Sequence, residues 1–265
     1  MKKNLFFVIA MLIATGMSAQ LYVGAKLGYG FGAQKTVFGT KQADKSQSNI
    51  YGTLGQGIPL GLKVGYFFND NLGVELGMNY FMSSTLTKAD VNMTGYTQNT
   101  TVKSTQIRLM PTLVYKTDMG VYGRFGMVVP VGGSTIATSK IVSGGATTDV
   151  EASYSGSFSI GFVSSLGYEF ALNDNIKLFG EVEYVGLQIK GKSASMTKYT
   201  VNGADKLASL PTYTKETNYV DELTSSSNNT TYNPAPDMSK AKDELNSTSG
   251  YSAVRINIGI SYYFN

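Results

Sequence analysis

Residues 58–82 read IPLGLKVGYFFNDNLGVELGMNYFM. Ile58, Leu60, Leu62, Val64, Tyr66 and Phe68 share one parity before the polar triplet Asn69-Asp70-Asn71. Leu72, Val74, Leu76, Met78, Tyr80 and Met82 share one parity after it, against Gly73, Glu75, Gly77 and Asn79. Successive side chains of a strand point to opposite faces, so each run presents one apolar face and one small or polar face. An Asn/Asp triplet between two such runs is a tight turn. The stretch therefore predicts a β-hairpin of two long strands.

The same period of two recurs in six other segments. Their apolar parities run over Leu21–Phe31, Ile107–Tyr115, Val121–Val131, Phe158–Phe170, Ile176–Tyr184 and Val254–Phe264. Thr117-Asp118-Met119 and Asn173-Asp174-Asn175 supply two more tight turns, whereas the other connections are long, at about 32–57, 84–104, 134–152 and 190–250. Strict alternation of short and long connections is the asymmetry of a transmembrane barrel. Closure follows from solvation, because an open sheet edge in hydrocarbon would leave backbone groups unbonded. Tyr66, Phe68, Tyr115, Tyr168, Phe170, Tyr262 and Phe264 gather at the short-turn ends as an aromatic girdle, and Tyr29, Phe31 and Tyr80 begin a second. The predicted fold is all-β: an eight-stranded antiparallel transmembrane up-and-down β-barrel, one domain over 20–265, with both termini periplasmic. Two places break the pattern. Pro111 removes a ladder hydrogen bond and predicts a bulge or local distortion. Val185, Leu187 and Ile189 change parity after Tyr184, which a bulge near Gly186 would return to the lipid side.

Residues 1–19 read as an export signal: Lys2 and Lys3, an apolar run from Leu5 to Ala14, then small residues from Gly16 to Ala19. Cleavage after Ala19 or Ser18 is expected. Cysteine and histidine are absent, which removes disulfides and thiolate or imidazole chemistry, and no cofactor is implied. Lys and Arg number 22 against 18 Asp and Glu, a balance without a nucleic-acid signature.

The signal segment, the eight strands and the last strand together resemble the small OmpA/OmpX-like outer-membrane barrels. Asn257, Gly259, Tyr262 and Phe264 are similar to the C-terminal signal read by the barrel-assembly machinery, although Asn265 follows the aromatic residue. The signal segment followed by Gln20 resembles exported proteins of Bacteroidetes-type bacteria. The resemblance implies residence in the outer-membrane lipid of a Gram-negative envelope. Barrel enzymes of that membrane resemble one another in using a catalytic histidine, so no enzyme is implied here.

The inward parity carries Lys26, Lys63, Arg108, Lys116, Arg124, Lys177 and Arg255 against Glu75, Glu169, Glu181 and Glu183. An eight-stranded barrel is just wide enough for side chains to fill, so these charges predict a structural plug of salt bridges. The sharper reading is a narrow, anion-favouring path. Glu181 and Glu183 are a carboxylate pair at a spacing that any lumen-facing strand shows, and read as structural. The glycines of 28–32 and 52–57 lack a strand-to-helix context for phosphate and read as strand glycines. In the 190–250 loop, Pro236–Leu245 predicts a short capped helix, and Tyr199, Tyr213, Tyr219 and Tyr232 suit contact with an extracellular protein or glycan. Three function classes follow: a structural or adhesive surface protein, a small-solute pore, and a soluble periplasmic β-barrel binder.

Overall fold

A computed structural model describes residues 20–33 and 36–264. The export-signal reading of 1–19 and the terminal Asn265 lie outside the described residues. Eight strands form the wall: β1 (Gln20–Gly32), β2 (Gly57–Phe67), β3 (Leu72–Ser83), β4 (Tyr96–Lys116), β5 (Val121–Ser143), β6 (Gly161–Ala171), β7 (Ile176–Gly186) and β8 (Ala253–Phe264). Each pairs antiparallel with the next. β8 closes the ring on β1, from Leu21↔Phe264 to Gly32↔Ala253.

The faces are inverted relative to a water-soluble fold. Leu62 is 60% exposed, Leu113 58%, Leu166 66% and Ile258 65%, whereas Arg108 and Arg255 are 0% exposed. A continuous apolar belt of this kind is stable only against hydrocarbon. Its rims are aromatic. Tyr66 and Phe68 meet edge to face at 5.6 Å, as do Tyr262 and Phe264 at 5.0 Å on one rim and Tyr29 and Phe31 at 5.1 Å on the other.

Two of the short turns use one device. Asn69 Oδ1 accepts the N–H groups of Asn71 and Leu72 at 3.0 and 2.7 Å. Asn173 Oδ1 accepts those of Asn175 and Ile176 at 3.0 and 2.7 Å. In each, the third residue then donates across to the neighbouring strand: Asn71 Nδ2 to the Lys116 carbonyl at 2.7 Å, Asn175 Nδ2 to the Tyr263 carbonyl at 2.9 Å. Asn in these places thus replaces backbone partners that so tight a reversal lacks. The third turn ends on Gly120, whose φ of +86° only glycine adopts cheaply.

Several sequence expectations are corrected. At Pro111 the expected local distortion is present as a break in the ladder to β5, which skips Met110 and Pro111 without changing register, but the bulge lies earlier, where Val131 is extra between Ile107↔Gly132 and Arg108↔Pro130. No bulge returns Val185, Leu187 and Ile189 to the lipid. They keep the inward parity of Glu181 and Glu183 and are 0%, 2% and 9% exposed. Polarity misled the phase here, since the inward face itself turns from charged to apolar. Phe158 and Ile160 precede β6 outside any strand.

The long connections are structured. β4 and β5 run past the barrel as one ribbon, and strands from the connections extend it on both sides. Leu86–Met93 lies against β4, then Val37–Ala43 and Ser46–Tyr51. Ala146–Gly156 lies against β5, then Gln188–Val201, Glu216–Val220 and Lys242–Leu245. The helix expected over 236–245 is absent: turns lead into the strand Lys242–Leu245, which pairs with Glu216–Val220 and so binds its backbone groups in a ladder. The α-helix in this connection is instead Thr212–Lys215.

Candidate functional site

All eleven charged positions of the inward parity lie in the lumen, where they assemble in tiers. Nearest the short turns, Lys116 Nζ is 3.4 Å from Glu169, Tyr263 donates to Glu169 at 2.8 Å, and Lys177 Nζ stands 4.1 Å from the Tyr263 ring centre. In the middle tier Arg124 bridges two carboxylates, with Glu75 at 2.5 Å and Glu181 also ion-paired. Lys63 adds a 3.4 Å contact to Glu75, and Lys26 reaches Glu181 at 2.9 Å and Glu183 at 2.5 Å. Arg255 then meets Glu183 at 3.2 Å.

Neutral donors complete the carboxylates. Tyr22 donates to Glu75 at 2.8 Å, Tyr122 to Glu181 at 2.8 Å, and Asn257 to Glu181 at 2.9 Å. These tyrosines were not singled out from sequence, although their parity opposite Leu21 and Val121 places them inside. Their partners explain two glycines. A Cβ at Gly65, opposite Tyr22, would lie 2.3 Å from its ring, and one at Gly167, opposite Tyr122, 2.5 Å from that ring. Inward rings thus lie flat over glycine across the ladder, and the charges below and above them are held in place.

Arg108 differs from its neighbours. It stacks 4.1 Å from the Phe81 ring centre and its Nε donates to Gln106 Oε1 at 2.7 Å. No carboxylate lies within ion-pair distance, and both its Nη atoms are buried without a hydrogen-bond partner among the described residues. A pocket of about 10 Å³, room for roughly one water, lies among Lys26, Lys63, Glu75, Asn79 and Arg124. An apolar layer of Leu54, Val102, Met110, Val128, Val163, Val185, Leu187 and Ile189 lies beyond it.

Above that layer the sheet of the long connections encloses a cavity of about 540 Å³, within the range of small-molecule sites. Ser104, Gln106 and Tyr251 form its floor. The Thr135 hydroxyl donates to Ser104 Oγ at 2.9 Å and lies 2.9 Å from the Tyr251 hydroxyl. Tyr154 and Tyr219 stand in its wall, and burial pushes the Tyr219 hydroxyl up to about 12, so it is a neutral donor at ordinary pH.

Residues 5–205 match the model of the outer membrane protein beta-barrel domain. The chain belongs to that family. Outer membrane protein beta-barrel domains place this chain in the bacterial outer membrane, its apolar belt in lipid, within a family that is generally non-enzymatic. Solved structures similar to this barrel include OprG from Pseudomonas aeruginosa, at 14% identity and TM-score 0.45, covering 93% of this chain and 96% of that one. Neisserial surface protein A is similar at 10% identity and TM-score 0.35, covering 94% and 98%. Ail, the attachment invasion locus protein of Yersinia pestis, is similar at 10% identity and TM-score 0.29, covering 93% and 97%. No curated protein matches the sequence.

Of the remaining barrel-domain positions singled out from sequence, Asn257 is buried in the lumen, Gly259 is half-buried, and Tyr262 and Phe264 face outward at the rim. The carboxylates Glu181 and Glu183 are drawn into ion pairs on both sides.

Proposed function

We propose that this outer-membrane barrel is a closed pedestal for a surface-contact structure, and that it acts through the sheet built from its long connections. The observation that carries the reading is the ion-paired filling of the lumen, whose middle tier holds a pocket of about 10 Å³, against the cavity of about 540 Å³ above it. A lumen filled by ion pairs offers no path for solute, so the pore reading loses its support. The nine ion-paired charges, all of the eleven but Arg108 and Lys177, are then a structural plug, and catalysis by Glu181 and Glu183 is disfavoured because each is already ion-paired.

The short turns and both ends of the described wall are at one rim, which in this reading faces the periplasm, as barrels of this kind put brief turns there. The extended sheet then lies outside the cell. Asn257, Gly259, Tyr262 and Phe264 serve the barrel-assembly machinery, and residues 1–19 direct export. The partner is an extracellular protein or glycan.

Intact cells carrying the wild-type chain are compared with cells whose residues 190–250 are replaced by a short Gly-Ser turn. Binding to a panel of immobilised glycans and matrix proteins should be lost while heat-modifiable migration of the barrel persists. Equal binding by both, or an epitope near Asn228 reachable only after lysis, contradicts the reading.

A further inference from the structure

The longest break among the described ladders of the wall lies along β5. β5 pairs with β6 up to Val128↔Gly161 and with the strand Ala146–Gly156 from Thr135↔Tyr154, which leaves residues 129–134 with no ladder partner on that edge. Six residues correspond to about 20 Å of open strand edge. Opposite them, residues 157–160 belong to no strand. An open edge in hydrocarbon is costly unless it lines a cavity. Pro130 lowers the cost by having no N–H, and this edge does line the outer cavity, which is bounded by Pro130, Val131, Gly132 and Phe158 as well as by the interior residues Val102 and Tyr251.

The interruption sits at the depth of a membrane interface. Gly132 pairs with Ile107, and Ile107 with the girdle residue Tyr80. Phe158 at 77% exposure and Val131 at 54% flank it on the outward side. The cavity lining thus includes the outward residues Val131 and Phe158 at this depth. Its charge is one-sided: the lining includes Lys88 and Lys190 and no carboxylate. Lys190 is held by Asp221 at 2.5 Å, whereas Lys88 has no ion-pair partner among the described residues. Beneath the floor lies Arg108, buried, without a counter-ion, and joined to the cavity through Gln106.

We propose that this cavity binds an anionic lipid from the adjoining leaflet, with an acyl chain entering between Val131 and Phe158 and the headgroup held on the side of Lys88. The inference rests on the surface-contact reading only in taking the cavity as the functional volume. Burial of the chain against Val102, Ile189 and Phe158 supplies the affinity, and the carboxylate-free lining supplies the preference for negative charge.

The chain contains no tryptophan, so a single introduced one reports alone. The full-length Tyr154→Trp variant is reconstituted in phosphatidylcholine vesicles doped with brominated phosphatidylglycerol or, at the same fraction, brominated phosphatidylcholine. Emission should be quenched several-fold more by the anionic lipid. Ala137→Phe, which fills the cavity, should abolish that quenching, and Lys88→Glu should remove the preference. Phe125→Trp on the outward belt should be quenched by both lipids alike and so reports insertion. Unquenched Tyr154→Trp in vesicles where Phe125→Trp is quenched overturns lateral access, and equal quenching by both lipids overturns the anionic specificity. These vesicles hold no extracellular partner, so either negative result leaves surface contact standing, and a failure of cell binding leaves the lipid result standing.

Discussion

The barrel wall and the sheet above it are built from the same strands, since β4 and β5 run through both, yet they are specified in different ways. In the wall every strand has a lipid face and a lumen face, and a slip of one residue would put Arg124 in hydrocarbon and Phe125 in the plug. Register there is fixed by a very large penalty. In the upper sheet, Thr97–Thr101 opposes Thr138–Val142 with polar or β-branched side chains on both faces, and none of these positions is buried. Its register is inherited from ladders already aligned below. A sheet can therefore be extended without a two-faced pattern when its neighbours are pre-aligned.

The largest expected effect lies at the closing seam, where Tyr262, Tyr263 and Phe264 pair with Val23, Tyr22 and Leu21. Deleting Tyr262–Asn265 should leave the chain exported but yield little or no heat-modifiable barrel, as read on unheated gels of outer-membrane fractions. Normal levels of folded barrel would show that neither closure nor assembly depends on this strand end.

Next come the charges. Arg124→Ala removes the cation shared by Glu75 and Glu181, leaving them to Lys63 and Lys26, and should cost about 3 to 5 kcal/mol in urea unfolding of the refolded protein. The exposed pair Lys41–Asp90, 3.4 Å apart in the upper sheet, is the control: Lys41→Ala should cost at most about 1 kcal/mol. Similar costs for the two would erase the distinction between plug and extension. Tyr22→Phe removes a neutral donor from Glu75 and should fall between them, at about 1 to 3 kcal/mol.

The wall was legible in the sequence because its physics is binary. Alternation at Leu72–Met82 and the Asn-Asp-Asn turns located strands, faces and the inward charges. The tyrosine donors and the flat packing of Tyr22 on Gly65 were not legible, because they depend on which residue lies opposite in the neighbouring strand. Val185, Leu187 and Ile189 were misassigned because apolar was equated with lipid, whereas the lumen changes from charged to apolar along its axis. The upper sheet was read as loops, since strands such as Val37–Ala43 and Lys242–Leu245 carry no face of their own and exist only as ladder partners, both in parallel pairs.

The smallest effect concerns acid. Hydrogen bonds from Ser239, reinforced by Lys240, hold Asp237 down to about 2, and hydrogen bonds from Thr94 hold Asp44 below its ordinary value. Both pKa values are depressed on folding, so their contribution is present above the ordinary aspartate range and is lost as pH falls from about 4 toward 2. Protection factors, corrected for the slower intrinsic exchange in acid, should fall in the turns around 44, 94 and 237 over that window, while β1 to β8 stay protected. Simultaneous loss of protection in wall and extension would mean that the two unfold as one unit.

The central claim, a closed pedestal, is tested most directly by single-channel recording of the full-length protein in planar lipid bilayers. The ion-paired lumen predicts insertion without resolvable conductance steps at moderate voltage. Stable, ohmic steps that recur with each insertion would contradict it.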